Sequence, residues 1–164
     1  MARNQKGFTL IETLVYIALF AIVIGGGMIA TYQIIQATDA DTNHTILQEE
    51  ANFLLRKIDW ALTNSSTIAI VGNTLTVTEP LLPPEQNRLV FDLDSGNLRL
   101  RRFDDATNVM FSSNSLNSIN LAVSNLSFVS LSGAKGVKAA FTLTTAQNGR
   151  LATEDFSTTK YLRQ

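Results

Sequence analysis

The sequence predicts an α+β protein. One long N-terminal α-helix, its first half able to span a membrane, packs with its second half on an antiparallel β-sheet domain. Three observations predict this. From Phe8 to Tyr32 the chain carries one charge, Glu12. Beyond it, Leu47, Ala51, Leu54, Leu55, Ile58, Ala61 and Leu62 recur at helical spacing, which makes one apolar stripe. After Ser66 the apolar period falls to two, and turns rich in Gly, Asn and Asp divide the chain into short strands.

The first segment, about 25 residues, would run roughly 37 Å as α-helix, enough to cross a bilayer core of about 30 Å. Arg3 and Lys6 precede it, and the next charge after Glu12 is Asp39. The positive side stays in the cytoplasm, so the domain that follows is expected outside the cytoplasmic membrane. A carboxylate within hydrocarbon costs about 2.5–3.5 kcal/mol and marks a functional site by default. Two partners could offset the cost at Glu12. One is the positive end of the helix dipole. The other is a cation from a second molecule, such as the amine left at Phe8 if the chain is cut after Gly7. That second pairing would register assembly within the membrane. A cleaved secretory signal ending near Met28 is the rival reading, as is a plain single-span anchor. Against the secretory signal, Glu12 interrupts the apolar run, and the helical pattern continues past Gly25-Gly26-Gly27.

The helix is expected to continue to about Thr63, with Asn64-Ser65-Ser66 ending it. Such a helix would be about 80 Å long. Glu49, Glu50, Arg56, Lys57 and Asp59 fall mostly opposite the stripe. Trp60 lies away from parts of the stripe, and core packing is its expected place. The three consecutive glycines each cost about 1 kcal/mol in a helix interior. They suit either a segment that melts when subunits pack or a close helix–helix approach.

Two hairpins follow. Ser66 to Val71 and Thr74 to Thr78 flank Gly72-Asn73. Arg88 to Leu93 and Leu98 to Phe103 flank Asp94-Ser95-Gly96-Asn97. The loop between them, Glu79 to Asn87, holds all three prolines. Val109 to Ser112 is a short strand, and Ser113 to Ser118 a polar loop. Ile119 to Leu131 is one long or bent strand. Ser132 to Gly136 turns the chain into a strand from Val137 to Thr145. Gln147-Asn148-Gly149-Arg150 turns it again into the last, Leu151 to Leu162. The helix stripe is the natural cover for one face of this sheet.

Composition removes several classes of function. Lys and Arg total 13 against 14 Asp and Glu, so no global charge pulls the chain toward nucleic acid or anionic lipid. Without Arg3 and Lys6 the balance is 11 against 14. There is no cysteine, which removes disulfides, thiol nucleophiles and Cys-based metal sites. The single histidine, His44, lies among Thr42, Asn43 and Thr45 and reads as an exposed helix residue; no Gly-x-Ser-x-Gly accompanies it. Asp92-Leu93-Asp94-Ser95-Gly96-Asn97 has a calcium-loop flavour, but Asn97 and Phe103 stand where such a loop needs Gly and Glu. The same residue types are what a hairpin turn selects. Arg99, Arg101 and Arg102, with Arg88 on the neighbouring strand, form the one basic cluster and the candidate nucleic-acid patch. Alternation places Arg99, Arg101 and Phe103 on one face and Leu98 and Leu100 on the other, which a solvated sheet face explains as well. No residue set suggests catalysis, and no cofactor or metal is expected.

Gly7 followed by Phe8-Thr9-Leu10-Ile11-Glu12 and an unbroken apolar run, after a short basic leader, resembles the type IV prepilin signal. The resemblance implies a pilin-like fold. It also implies a leader at 1–7 cut by a prepilin peptidase between Gly7 and Phe8, N-methylation of Phe8, and assembly through Glu12 with other pilin or pseudopilin subunits. In its terms, 8–32 is the transmembrane and filament-core helix. The span 33–63 is the amphipathic half, and 64–164 is the sheet domain. Before assembly the helix would lie in the lipid of the cytoplasmic (inner) membrane, crossing it once. The domain would be periplasmic or extracellular. Leu126, Phe128, Val137, Phe141 and Leu143, with the ending Thr158 to Arg163, resemble the closing strands of minor pseudopilins of the J type. The expected role is a minor pilin or pseudopilin of a type IV pilus, type II secretion or competence filament. A major pilin is one alternative; a membrane-anchored module binding DNA, secreted substrate or surfaces is the other.

Overall fold

The structure is a computed structural model and describes residues 9–131, 136–147 and 150–161. The leader, the Gly7–Phe8 pair, the turns expected at 132–135 and 148–149, and Leu162 lie outside the described residues. The chain divides into two compact units within one helix, α1 (Leu10–Thr63), the first ending at Thr42 and the second starting at Asn43.

The first unit is helix whose described side chains are almost all exposed, including Leu10, Ile11, Leu14, Val15, Phe20, Ile22 and Met28. Its hydroxyls turn back on the helix itself. Thr13 Oγ1 donates to Leu10 O, Thr31 Oγ1 to Gly27 O and Thr38 Oγ1 to Ile34 O. This satisfies polar groups in an otherwise apolar segment.

The second unit holds the core. The α1 stripe supplies Leu47, Ala51, Leu54, Ile58, Ala61 and Leu62, all buried, with Leu55 half-buried against them. Strands β1 (Thr67–Val71), β2 (Thr74–Thr78), β3 (Arg88–Asp94), β4 (Asn97–Phe103) and β5 (Met110–Ser115) form a five-stranded antiparallel sheet in that order. Strands β6 (Leu121–Ser130), β7 (Gly136–Gln147) and β8 (Arg150–Tyr161) form a second, three-stranded antiparallel sheet. Leu75, Val77, Leu89, Phe91, Leu98 and Leu100 from the first sheet meet Leu121, Val123, Leu126, Phe128, Val137, Phe141 and Leu143 from the second in one cluster with the helix. Period-two alternation puts these residues on the inner faces.

The turn between β3 and β4 tightens to two residues. Ser95 (φ 50°) and Gly96 (φ 81°) both take positive φ, the requirement of a type I′ hairpin, whose twist matches that of the flanking strands. At the start of β7 a glycine is needed for another reason. A Cβ on Gly136 would come within 2.9 Å of the Lys160 carbonyl oxygen on β8.

Three expectations are corrected. The single sheet is two. The corner between them is held by Asn117, which is buried and takes the place of ladder bonds. Its Oδ1 accepts from Leu98 N at 2.8 Å, and its Nδ2 donates to Leu121 O at 2.6 Å. The polar loop expected from Ser113 is strand as far as Ser115, because β4 offers it a ladder that no period in Ser-Ser-Asn-Ser can announce. Trp60 is not in the core. It is 39 % exposed, and Lys57 Nζ lies 5.8 Å from its ring centroid. The long strand from Ile119 begins at Leu121 and is bent, with a register shift between Ser124 and Ser127 and Asn125 at φ 51°.

Replacing fully buried Leu54 by alanine is expected to cost about 2–5 kcal/mol. Leu81→Ala, at an exposed site, should stay within about 0.5 kcal/mol. Denaturant unfolding of the second unit, followed in the detergent-solubilised chain, checks both. Equal costs would mean that the stripe is not what holds the unit together.

Candidate functional site

Two regions carry the site residues named by the sequence. The first is the start of α1. Thr9 precedes the helix, and its carbonyl accepts from Glu12 N at 3.1 Å and from Thr13 N at 3.2 Å. Its hydroxyl accepts from Glu12 N at 3.4 Å, while Glu12 Oε2 accepts from Thr9 N at 3.5 Å. This is the reciprocal Thr-x-x-Glu capping box. Sequence reasoning about the lone acid passed over Thr9, although the spacing Thr9-Leu10-Ile11-Glu12 is the signal for it. The carboxylate therefore has a local task, offsetting unpaired amides at a positive helix end. The side-chain bonds are long, so they leave Glu12 capacity for a stronger partner. Gly7 and Phe8 lie outside the described residues.

After the cap, α1 carries no charge on any side as far as Tyr32. It is long and apolar enough to cross a membrane, and among the described residues none of its most apolar stretch is buried. A helix apolar all round belongs inside a larger body or in lipid. Around Gly25, Gly26 and Gly27 an added Cβ would meet nothing within 4 Å.

The second region is the outer face of β3 and β4. Arg99 Nε donates to Asp92 Oδ1 at 3.1 Å and its Nη2 to Asp92 Oδ2 at 3.2 Å, a bidentate fork. Arg99 Nη1 reaches Asp94 Oδ2 at 2.7 Å. Arg101 Nη2 pairs with the same Asp92. The hydrogen bond to Asp92 raises Arg99 further above its already high pKa. Arg88 and Arg101 both stack on the Phe103 ring, at 4.9 and 5.6 Å from its centroid. The face thus unites Arg99, Arg101, Arg88 and Phe103. Arg102 is not part of it: alternation turns it to the side of Leu98 and Leu100, and its Nη1 donates to Gln86 Oε1 at 3.0 Å. The guanidiniums of Arg99 and Arg101 are engaged by carboxylates of this same sheet, and the one aromatic ring beside them is covered. Asp92 and Asp94, the acids of the calcium-like stretch, are the arginines' partners.

His44 is exposed and joins α1 to β8. Its Nδ1 pairs with Glu154 Oε1, and its Nε2 lies 3.0 Å from Gln48 Nε2. Lys160 Nζ on β8 likewise donates to Asp59 Oδ2 at 3.0 Å.

Removing Asp92 leaves two guanidiniums short of their shared acceptor. Asp92→Ala is therefore expected to destabilise the second unit by about 1–3 kcal/mol. Asp94→Asn, at an exposed carboxylate, should cost less than about 1 kcal/mol. Thermal unfolding of both variants is the check.

Asp104 gives a pH-dependent prediction. The Thr107 hydroxyl bonds its Oδ2 at 2.7 Å, and the amides of Ala106 and Thr107 bond its Oδ1. Together, with Arg88 nearby, they hold the carboxyl below its ordinary 3.8. A lowered folded pKa means that the turn is stabilised above 3.8 and loses this contribution as pH falls through the folded value. The amide shifts of Ala106 and Thr107 should titrate with a midpoint below 3.8. A midpoint at or above it would remove these bonds from the account.

Residues 2–28 match the family described as the prokaryotic N-terminal methylation motif. Neither a curated protein nor a solved structure matches the chain. The match covers the capped start of α1 and the first part of its apolar run. This motif, with an apolar helix leading into antiparallel sheets, supports a type IV pilin-like prepilin.

Proposed function

We propose that the chain is a minor pilin or pseudopilin, a structural subunit of a type IV pilus, type II secretion or competence filament. The observation that carries this is the methylation motif leading into an apolar stretch of helix that is unburied among the described residues. That apolar surface needs lipid first and neighbouring helices afterwards.

In this reading a prepilin peptidase cuts between Gly7 and Phe8 and the new Phe8 amine is methylated. Before assembly the helix crosses the cytoplasmic membrane once with its N-terminus inside. The sheet unit is periplasmic or extracellular. In the filament, Glu12 of one subunit pairs with the Phe8 amine of the next. That charge-assisted bond is shorter and stronger than the 3.5 Å contact to Thr9 N, so assembly has a free-energy reason to release the cap. The second unit faces outward and sets position or partner. The work is structural, with no catalytic step. A binding role for Arg99 and Arg101 is not part of this reading, since Asp92 and Asp94 already engage them.

The mass and N-terminal sequence of the protein from a membrane fraction test it. The expected mature chain begins at methylated Phe8. A soluble chain starting near Met28 would overturn the filament reading, and an uncut chain starting at Met1 would reduce it to a plain anchor. Glu12→Ala should leave cleavage intact and lower incorporation into filaments by about tenfold or more, the equivalent of at least about 1.4 kcal/mol. Gly7→Val should block cleavage.

A further inference from the structure

β5 ends the five-stranded sheet, and among the described residues no strand pairs with its outer side. Leu116 N donates to Leu98 O at 2.8 Å. In an antiparallel ladder the backbone groups of alternate residues point the same way. Ser112 and Asn114 therefore face β4, while Ser113 and Ser115 turn their N–H and C=O groups outward. Ser113, Asn114 and Ser115 are all exposed. Natural edges are blunted by charge, proline or a bulge. Met110-Phe111-Ser112-Ser113-Asn114-Ser115 has no charge and no proline. Its one irregularity leaves out Phe111, upstream of the regular stretch.

The other edges differ. β6 is broken by a register shift between Ser124 and Ser127, and its Val123 N already donates to Gly96 O at 2.8 Å. β8 carries Glu154, Asp155 and Lys160. β1 shares a cavity with Ser130 and Val137 of the second sheet, so the neighbouring sheet already borders it.

Beside the open edge lies a shallow cavity of about 370 Å³, lined by Val109, Met110, Phe111, Thr107, Glu85 and Asp104. Met110 and Phe111 are more than half exposed. Glu85 has no ion-pair partner among the described residues, and Asp104 is hydrogen-bonded within its own turn, to Ala106 and Thr107, with Arg88 the cation nearby. An open ladder gives affinity to an added strand, and an adjoining pocket gives it side-chain selectivity. A second copy of β5 offers no cation to this acidic rim, because Met110–Ser115 contains no Lys or Arg.

We propose that the outer edge of β5 accepts an extended strand of a partner protein. Its backbone pairs with Ser113 and Ser115. One apolar side chain rests on Met110 and Phe111, and a lysine or arginine lies beside Glu85 and Asp104.

Amide hydrogen exchange on the full chain in detergent micelles tests this. The probe is a blocked peptide of alternating valine and lysine, as long as β5. The control alternates valine and glutamate. With the valine–lysine peptide at about ten times its dissociation constant, exchange at Ser113 and Ser115 should slow about tenfold. The control should leave both amides unchanged. Ser113→Pro removes an outward N–H without touching the β4 ladder and should abolish protection. Glu85→Lys, at an exposed site, should lower affinity several-fold while leaving the fold intact, so the result does not hang on the proline variant. Equal protection by both peptides would remove the charge selection, and protection at β1 or β8 instead would move the site. No protection by either peptide would overturn the proposal. Protection without peptide, together with a dimer in the micelle, would give the edge to a second copy. The experiment requires no filament, so its failure would leave the assembly reading untouched.

Discussion

The second unit depends on one helix stripe serving two sheets. Leu47, Ala51, Leu54, Ile58, Ala61 and Leu62 are each at most 1 % exposed, and the inner faces of both sheets close on them. There is no cysteine to staple the sheets together. Asn117 joins them at one corner through a few hydrogen bonds. The bulk of the attraction is apolar surface withdrawn from water, which scales with area and has no direction of its own. Direction comes from the strands. Their alternation aims Phe91 and Phe141 inward and leaves serines, threonines and charges outside. Without the helix, the inner faces of two separate sheets would meet water.

The charged residues of the second unit are arranged to be satisfied close to home. Asp92 serves both Arg99 and Arg101, and Phe103 takes the planes of Arg88 and Arg101. Lys160 and His44 tie β8 to the helix at two points through Asp59 and Glu154. A sheet face that looks basic in sequence is electrically quiet once folded, because the partner acids stand on the adjacent strand at the same register. Each exposed pair contributes little alone, but together they fix which charges remain available to another molecule. Glu85 remains available, and beside it the sheet edge is open.

The start of α1 has the opposite character. Among the described residues its apolar side chains are exposed, a surface that in the proposed role lipid or other subunits would cover. Glu12 is the exception within that run, and the capping box shows how the cost of a carboxylate there is reduced before assembly. A cap made of bonds of 3.4 and 3.5 Å holds the acid in place and, in the proposed assembly, yields it to a cationic partner. That combination suits a subunit stored in a membrane and later moved into a polymer.

By itself the sequence determined the helix from its apolar periodicity, since the period from Leu47 to Leu62 can be satisfied by one secondary structure only. It determined the two hairpins as well, because Gly72 and Gly96 take positive φ, which glycine adopts without strain. The N-terminal motif was legible because a single carboxylate stands out in a long apolar run, where it is costly in lipid. Tertiary structure alone decided what depended on partners distant in the chain. The split into two sheets rests on Asn117 meeting Leu98 and Leu121, and no local pattern encodes which amide a buried asparagine will cap. The continuation of β5 through serines rests on the ladder that β4 supplies. The fate of Arg99 and Arg101 rests on strand register, which sets Asp92 opposite Arg99. Trp60 lies outside the core, 39 % exposed with Lys57 beside its ring. In the first three cases the deciding energy is a pairwise contact between residues far apart in sequence, and periodicity carries no record of such contacts.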